Sequence, residues 1–162
     1  MALGRTHDAV NLVALPVFLY FLPKEFYIPF GAGYIVGTFL LSPDLDLKNS
    51  RPSNRWGLLR CLWLPYQSFS RHRGLSHIPV VGSILRLLYI TFIVLFLYFV
   101  LLGIVSILDR SLAIYVAGFD PFGVMNKLFR SEEALFVVLG IVTADIIHIV
   151  VDSVWSLLKR FT

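Results

Sequence analysis

The chain has 162 residues, of which 57% are hydrophobic and 15% charged, and its mean hydropathy is +0.79. Average soluble domains are roughly half apolar and a quarter charged, so this balance excludes intrinsic disorder, a collagen-like repeat and a nucleic-acid-binding domain with a basic polar face. The length fits a single domain over residues 1–162, and the excess of apolar surface predicts an integral membrane protein. Cys61 is the one cysteine, which rules out an intramolecular disulfide framework and a multi-cysteine zinc finger. In a membrane protein the net charge of +4 reads as topology and attraction to anionic headgroups rather than as nucleic-acid binding.

Four apolar segments predict an all-α membrane bundle of four transmembrane helices, at about 6–22, 26–42, 78–108 and 133–158. The first two read as a short hairpin turning at Pro23-Lys24-Glu25, with Pro16 as an expected kink. The first is read as a retained helix, because His7 and Asp8 interrupt its start and no small-residue cleavage pattern follows Leu22. Gly33 and Gly37 form a small-xxx-small pair that permits close helix contact, or they simply loosen the helix. Arg86 near the start of the third segment implies first turns standing in the interface, with the arginine snorkelling outward. Between 109 and 132, Asp120-Pro121-Phe122-Gly123 predicts a turn and Val124–Phe129 a short helix without a chemical role.

Four spans put both termini and the long loop, residues 43–77, on one side. That side carries Arg5, Lys48, Arg51, Arg55, Arg60, Arg71, Arg73, Lys159 and Arg160, against Lys24, Arg110, Lys127 and Arg130 opposite. The bias predicts a multi-pass inner-membrane protein with both termini cytoplasmic. A connection of this length predicts a functional loop. Within it Trp56, Leu59 and Trp63 fall on a helical stripe, which predicts a short interfacial helix that admits a lipid headgroup or only anchors the loop.

The chemistry lies with the four histidines. His7 and Asp8 precede the first helix, with Asn11 one turn on. Asp44 and Asp46 follow the second helix in Ser42-Pro43-Asp44-Leu45-Asp46. His72 and His77 bracket His72-Arg73-Gly74-Leu75-Ser76-His77 before the third. His148 and Asp152 share a face of the fourth by their i,i+4 spacing, with Asp145 on the same face. Each piece alone also fits a helix cap, a turn or a buried polar pair. All four fall on the same predicted side, however, and neutral imidazole with carboxylate suits zinc, manganese or iron. His7, Asp44, Asp46, His72, His77, His148 and Asp152 are the candidate metal ligands, enough for one or two ions. Asp145, deeper in the helix, reads equally as an orienting partner of a ligand histidine or as a structural contact.

The ordered strings Gly-Arg-Thr-His-Asp-Ala-Val-Asn, Leu-Ser-Pro-Asp-Leu-Asp-Leu and His-Arg-Gly-Leu-Ser-His, with the late His148 and Asp152, give the chain a family likeness from Gly4 to Asp152. It resembles a family of bacterial and archaeal membrane proteins described as metal-binding. More distantly it is similar to inner-membrane metal-dependent hydrolases with spaced aspartates, a His-Arg-Gly-x-x-His core and a later histidine. The resemblance implies that the same seven residues bind metal. It speaks for the metal more directly than for the reaction.

The leading expectation is therefore a metal-dependent hydrolase of a phosphate or ester bond in a lipid-like substrate at the cytoplasmic face, with a lipid phosphate as the candidate. Asp46, as an aspartate not occupied by metal, is the candidate general base, and Arg73 the candidate clamp on the phosphate. Arg71 and Arg73 fit equally well as positive-inside anchors. The alternative is a non-enzymatic protein in which the ion ties helix ends together, is stored or is sensed. A metal transporter is the weakest expectation, because only Asp145 reaches inward. The apolar flanks leave room for a second subunit or a partner.

Overall fold

The computed structural model describes residues 4–70 and 74–161, and every regular element among them is helical. Helix α1 spans Gly4–Tyr20, and α2 spans Tyr27–Phe39, with a 3-10 turn at Lys24–Phe26 reversing the chain at the expected place. Both ends of this hairpin are set by proline. Pro23 follows α1, and Ser42 before Pro43 is extended (φ −59°, ψ 152°), the region favoured for a residue preceding proline. At ~1.5 Å per residue, α1 is about 25 Å long and α2 about 20 Å, each shorter than a ~30 Å hydrocarbon core. The two remaining predicted spans are α5 (Val81–Leu108) and α8 (Glu132–Phe161), and both are long and apolar enough to cross a membrane.

Helices α2 and α8 lie side by side in parallel, and glycine makes this possible. A Cβ at Gly33 would sit 2.0 Å from the Val137 carbonyl oxygen, one at Gly37 2.9 Å from Ile141 Cα, and one at Gly140 2.2 Å from the Phe30 carbonyl oxygen. The pair Gly33 and Gly37 is thus a packing surface, and the looser-helix alternative falls away. Helix α1 closes the group: Asn11 Nδ2 donates to the Ala144 carbonyl (3.4 Å), and Tyr34 Oη donates to the Asn11 carbonyl (3.0 Å). Phe26 stacks on Phe136 at 3.8 Å, so the hairpin tip is level with the first turns of α8.

Among the described residues, the loop between α2 and α5 is built of short helical pieces. These are a 3-10 turn at Pro43–Asp46, α3 (Arg51–Arg55), a 3-10 stretch at Gly57–Trp63, α4 (Leu64–Phe69) and a final 3-10 turn at Leu75–His77. The expected interfacial stripe is not formed. Gly57 takes a left-handed conformation (φ 55°) and breaks the helical phase between Trp56 and Leu59. Trp63 then turns inward to a core of Leu41, Leu45, Tyr66 and Ile141, while Leu59 stays exposed. Trp56 packs against that core and donates from Nε1 to the Leu40 carbonyl (3.0 Å).

Leu87, Tyr89 and Ile90 on the first turns of α5 pack against the same core. Arg86 does not snorkel outward. It is fully buried and pairs with Asp145 of α8, because an inward carboxylate lies at its own depth. Further along α5, Phe92, Phe96, Phe99 and Ile104 are exposed. Two helices return the chain to α8. Asp109 caps α6 (Arg110–Ala117) by accepting from the Ser111 and Leu112 amides, and Asp120 caps α7 (Pro121–Phe129) by accepting from the Gly123 amide at 2.9 Å. The short helix expected over Val124–Phe129 is present but begins at Pro121, because Asp120 caps it. The expected turn Asp120-Pro121-Phe122-Gly123 is instead its cap and first turn, and α6 is an addition.

Candidate metal centre

The parallel packing of α2 on α8 brings the chain that leaves α2 onto the polar face of α8. His148 is buried there, and Asp152 follows one turn later. Asp44, on the 3-10 turn after α2, places Oδ1 3.6 Å from His148 Nε2 and 3.8 Å from His77 Nε2. Asp152 Oδ2 lies 4.0 Å from His148 Nε2. One donor atom from each of Asp44, His77, His148 and Asp152 falls within 4.8 Å of all the others.

His7 enters from the first turns of α1. Its ring stacks on that of His148 (centroids 3.9 Å apart, planes 15° apart), and its Nε2 is 3.4 Å from Asp152 Oδ1. Asp46 stands to one side. Its Oδ2 accepts from Ser76 Oγ at 2.7 Å and lies 3.7 Å from His77 Nδ1. On the far side of His148, Nδ1 is 3.4 Å from Ser42 Oγ, which leaves Nε2 facing the carboxylates.

These separations are too long for good hydrogen bonds, yet they suit a shared cation. Two donors held at ~2.0–2.1 Å in a tetrahedral shell stand about 3.3 Å apart. His7 Nδ1, His148 Nε2 and Asp152 Oδ1 are buried and make no hydrogen bond. A buried carboxylate oxygen without a donor is costly, and a cation at the centre would satisfy it. The donor set therefore fits a divalent ion of the nitrogen- and oxygen-binding class. Burial pushes the Asp44 carboxyl up, but the adjacent His148 imidazole and the charges of His148, His7 and His77 outweigh this and hold it below the ordinary carboxylate range. Asp44 is thus kept ionised, the state a ligand needs.

Of the seven ligands proposed from sequence, the structure brings together His7, Asp44, Asp46, His77, His148 and Asp152. His72 and the flanking Arg71 and Arg73 lie outside the described residues. Asn11 serves the packing of α1 instead. Sequence reasoning missed Ser42 and Ser76, although both stand inside the motifs it used. It also missed the role of Asp8, which accepts from Arg51 (2.9 Å) and Arg55 (2.7 Å) and ties α1 to α3. An open depression of about 260 Å³ lined by His77, Ile149, Asp152, Ser153 and Ser156 adjoins the centre.

The family described as "Uncharacterized metal-binding protein (DUF2227)" matches residues 2–162 of the chain. An uncharacterized protein of Aquifex aeolicus (strain VF5) is 49% identical over 140 residues, which cover 86% of this chain and 99% of the relative. No solved structure gives a significant match.

Proposed function

We propose that this chain, which belongs to the DUF2227 metal-binding family, is a membrane-embedded metal-dependent hydrolase of a phosphate or ester bond in a lipid-like substrate. One observation carries the reading: four donors meet at one end of the helices, with buried ligand atoms unsatisfied, beside an open depression. Asp44, His77, His148 and Asp152 would hold one divalent ion of the zinc, manganese or iron class. His7, whose Nε2 is 3.4 Å from Asp152 Oδ1, would extend the set, and His72 is the further ligand expected from sequence. A divalent ion so held supplies Lewis acidity and an acidified water, whose pKa falls to about 7. Asp46, outside the tight donor group and oriented by Ser76, acts as general base, and Arg73 holds the phosphate.

The membrane placement rests on α5 and α8 as full spans, with the α1–α2 hairpin as a shorter pair of spans beside them. From the Phe26–Phe136 level to Asp152, α8 rises about 24 Å, so the hairpin covers most of a thin hydrocarbon layer. The centre then stands at the cytoplasmic headgroup level, on the lysine- and arginine-rich side.

A second reading is favoured by the way the centre gathers α1, the turn after α2, the turn before α5 and α8. Here the ion only ties helix ends together, or is stored or sensed. Elemental analysis of detergent-purified protein, with phosphomonoester and phosphodiester lipid assays, separates the two. We expect one or two transition-metal ions per chain, lost in a His77→Ala, His148→Ala double variant. Hydrolysis should fall at least ~100-fold in Asp46→Ala while helicity is kept. Bound ions without turnover on any lipid phosphate or ester would favour the second reading, and a wild type without ions would end both.

A further inference from the structure

Two charged side chains of the apolar helices, Arg86 on α5 and Asp145 on α8, belong to neither the donor cluster nor the catalytic roles above. Both are buried. Arg86 donates from one guanidinium nitrogen to Asp145 Oδ2, which also accepts from Ser83 Oγ. The other terminal nitrogen, Nη1, donates to the Ser76 carbonyl at 3.1 Å. Ser76 is the residue before His77, and its hydroxyl holds Asp46.

Two features show how tightly this corner is held. The Ser76 carbonyl lies so close to Gly82 that a Cβ there would stand 2.2 Å from it. Between His77 and α5 the chain makes a strained three-residue reversal at Val80 (φ 67°, ψ −54°), closed by the Val81 amide on the Pro79 carbonyl at 2.8 Å. This is the conformation of the rare γ-turn, and it is unfavourable for a β-branched residue. Such strain persists only where the surroundings fix both ends. Arg86 and Gly82 fix one carbonyl, and α5 itself fixes the other end.

We infer that the buried Asp145–Arg86 pair positions the metal centre, by holding the Ser76 carbonyl and with it the Ser76–His77 corner and Asp46. The inference rests on the metal reading above, and its residues are positioning residues rather than ligands. A guanidinium is suited to the task because its planar fork serves a carboxylate and a carbonyl at once, which a lysine ammonium does less well. The partners that orient metal ligands typically change affinity ~10–100-fold when removed.

The decisive variant is Arg86→Met with Asp145→Leu in the full chain. An apolar pair of similar volume commonly replaces a buried ion pair without loss of stability. Zinc affinity by competition with a chromophoric chelator, and the visible spectrum of the cobalt(II)-loaded protein, are the readouts. We expect wild-type helicity, a ~10–100-fold weaker zinc affinity and an altered cobalt spectrum. Wild-type affinity and spectrum in this variant would overturn the inference and leave the metal reading standing. A wild type that binds neither ion would instead defeat the metal reading itself. Arg86→Lys decides the case if the apolar pair does not fold. It keeps the charge opposite Asp145 but loses the fork, so weakened affinity supports positioning and unchanged affinity overturns it.

Discussion

The two ring nitrogens of His148 face different neighbours, Ser42 Oγ at Nδ1 and Asp44 Oδ1 at Nε2. A ligand histidine must be neutral at the nitrogen that binds, so protons compete with the ion. Asp44, held below the ordinary carboxylate range, stays ionised and adds no competition until strongly acidic pH. Its depressed carboxyl stabilises the fold fully above the unfolded value, about 3.9, and that contribution fades only as pH falls through the lower folded one. Bound ion should therefore be complete near pH 8 and released between about pH 7 and 5, where histidines in general take up protons. Zinc affinity measured at each unit from pH 8 to 5 checks this, and an ion held unchanged at pH 5 would contradict it. The participants were legible because their signals are local: His148 and Asp152 are four apart, and Asp44 and His77 sit in short polar motifs beside apolar runs. Arg86 was not. An arginine near the start of an apolar helix fits snorkelling and inward pairing equally well, and only the depth of Asp145 on another helix decides.

At the level of elements, the α2–α8 contact depends on glycines whose Cα hydrogens face backbone. A methyl group at Gly33 would meet the Val137 carbonyl, whereas Gly31 has nothing within 4 Å of its would-be Cβ. Gly33→Ala should destabilise by about 1–3 kcal/mol through overpacking. Gly31→Ala should be neutral or stabilise by about 0.5–1 kcal/mol, because helical glycine is entropically unfavourable. Thermal melts of both variants in one detergent test the contrast, and equal melting temperatures would refute the close packing. Four of the helices were readable from hydropathy, since the positions of α1, α2, α5 and α8 follow the apolar runs. Their lengths were less readable. Hydropathy continues past Phe39 to Leu41, while the proline at 43 and the turn chemistry before it stop the helix earlier. The inward turn of Trp63 was hidden for a similar reason, because one left-handed residue, Gly57, resets the phase of everything after it.

For the whole molecule, the proposed arrangement puts the centre and residues 43–77 on the cytoplasmic side. The sole cysteine, Cys61, is exposed on that segment and reports the orientation without any engineered label. A membrane-impermeant thiol reagent should label it in inverted inner-membrane vesicles and leave it unlabelled in intact spheroplasts. The reverse pattern would turn the proposed topology over, and labelling from neither side would place the Gly57–Trp63 stretch within the lipid.

The donors of the centre come from opposite ends of the sequence, His7 from the first helix and His148 and Asp152 from the last. During biogenesis, α1, α2 and α5 therefore leave the ribosome carrying Asp44 and His77 without the residues that complete their set. Only the arrival of α8, in the right orientation and in register with the glycines of α2, closes it. An ion that binds the completed set and no earlier form favours the finished assembly by mass action. In the proposed membrane arrangement, metal supply would thereby favour completion of the assembly at the step where α8 joins α1, α2 and α5.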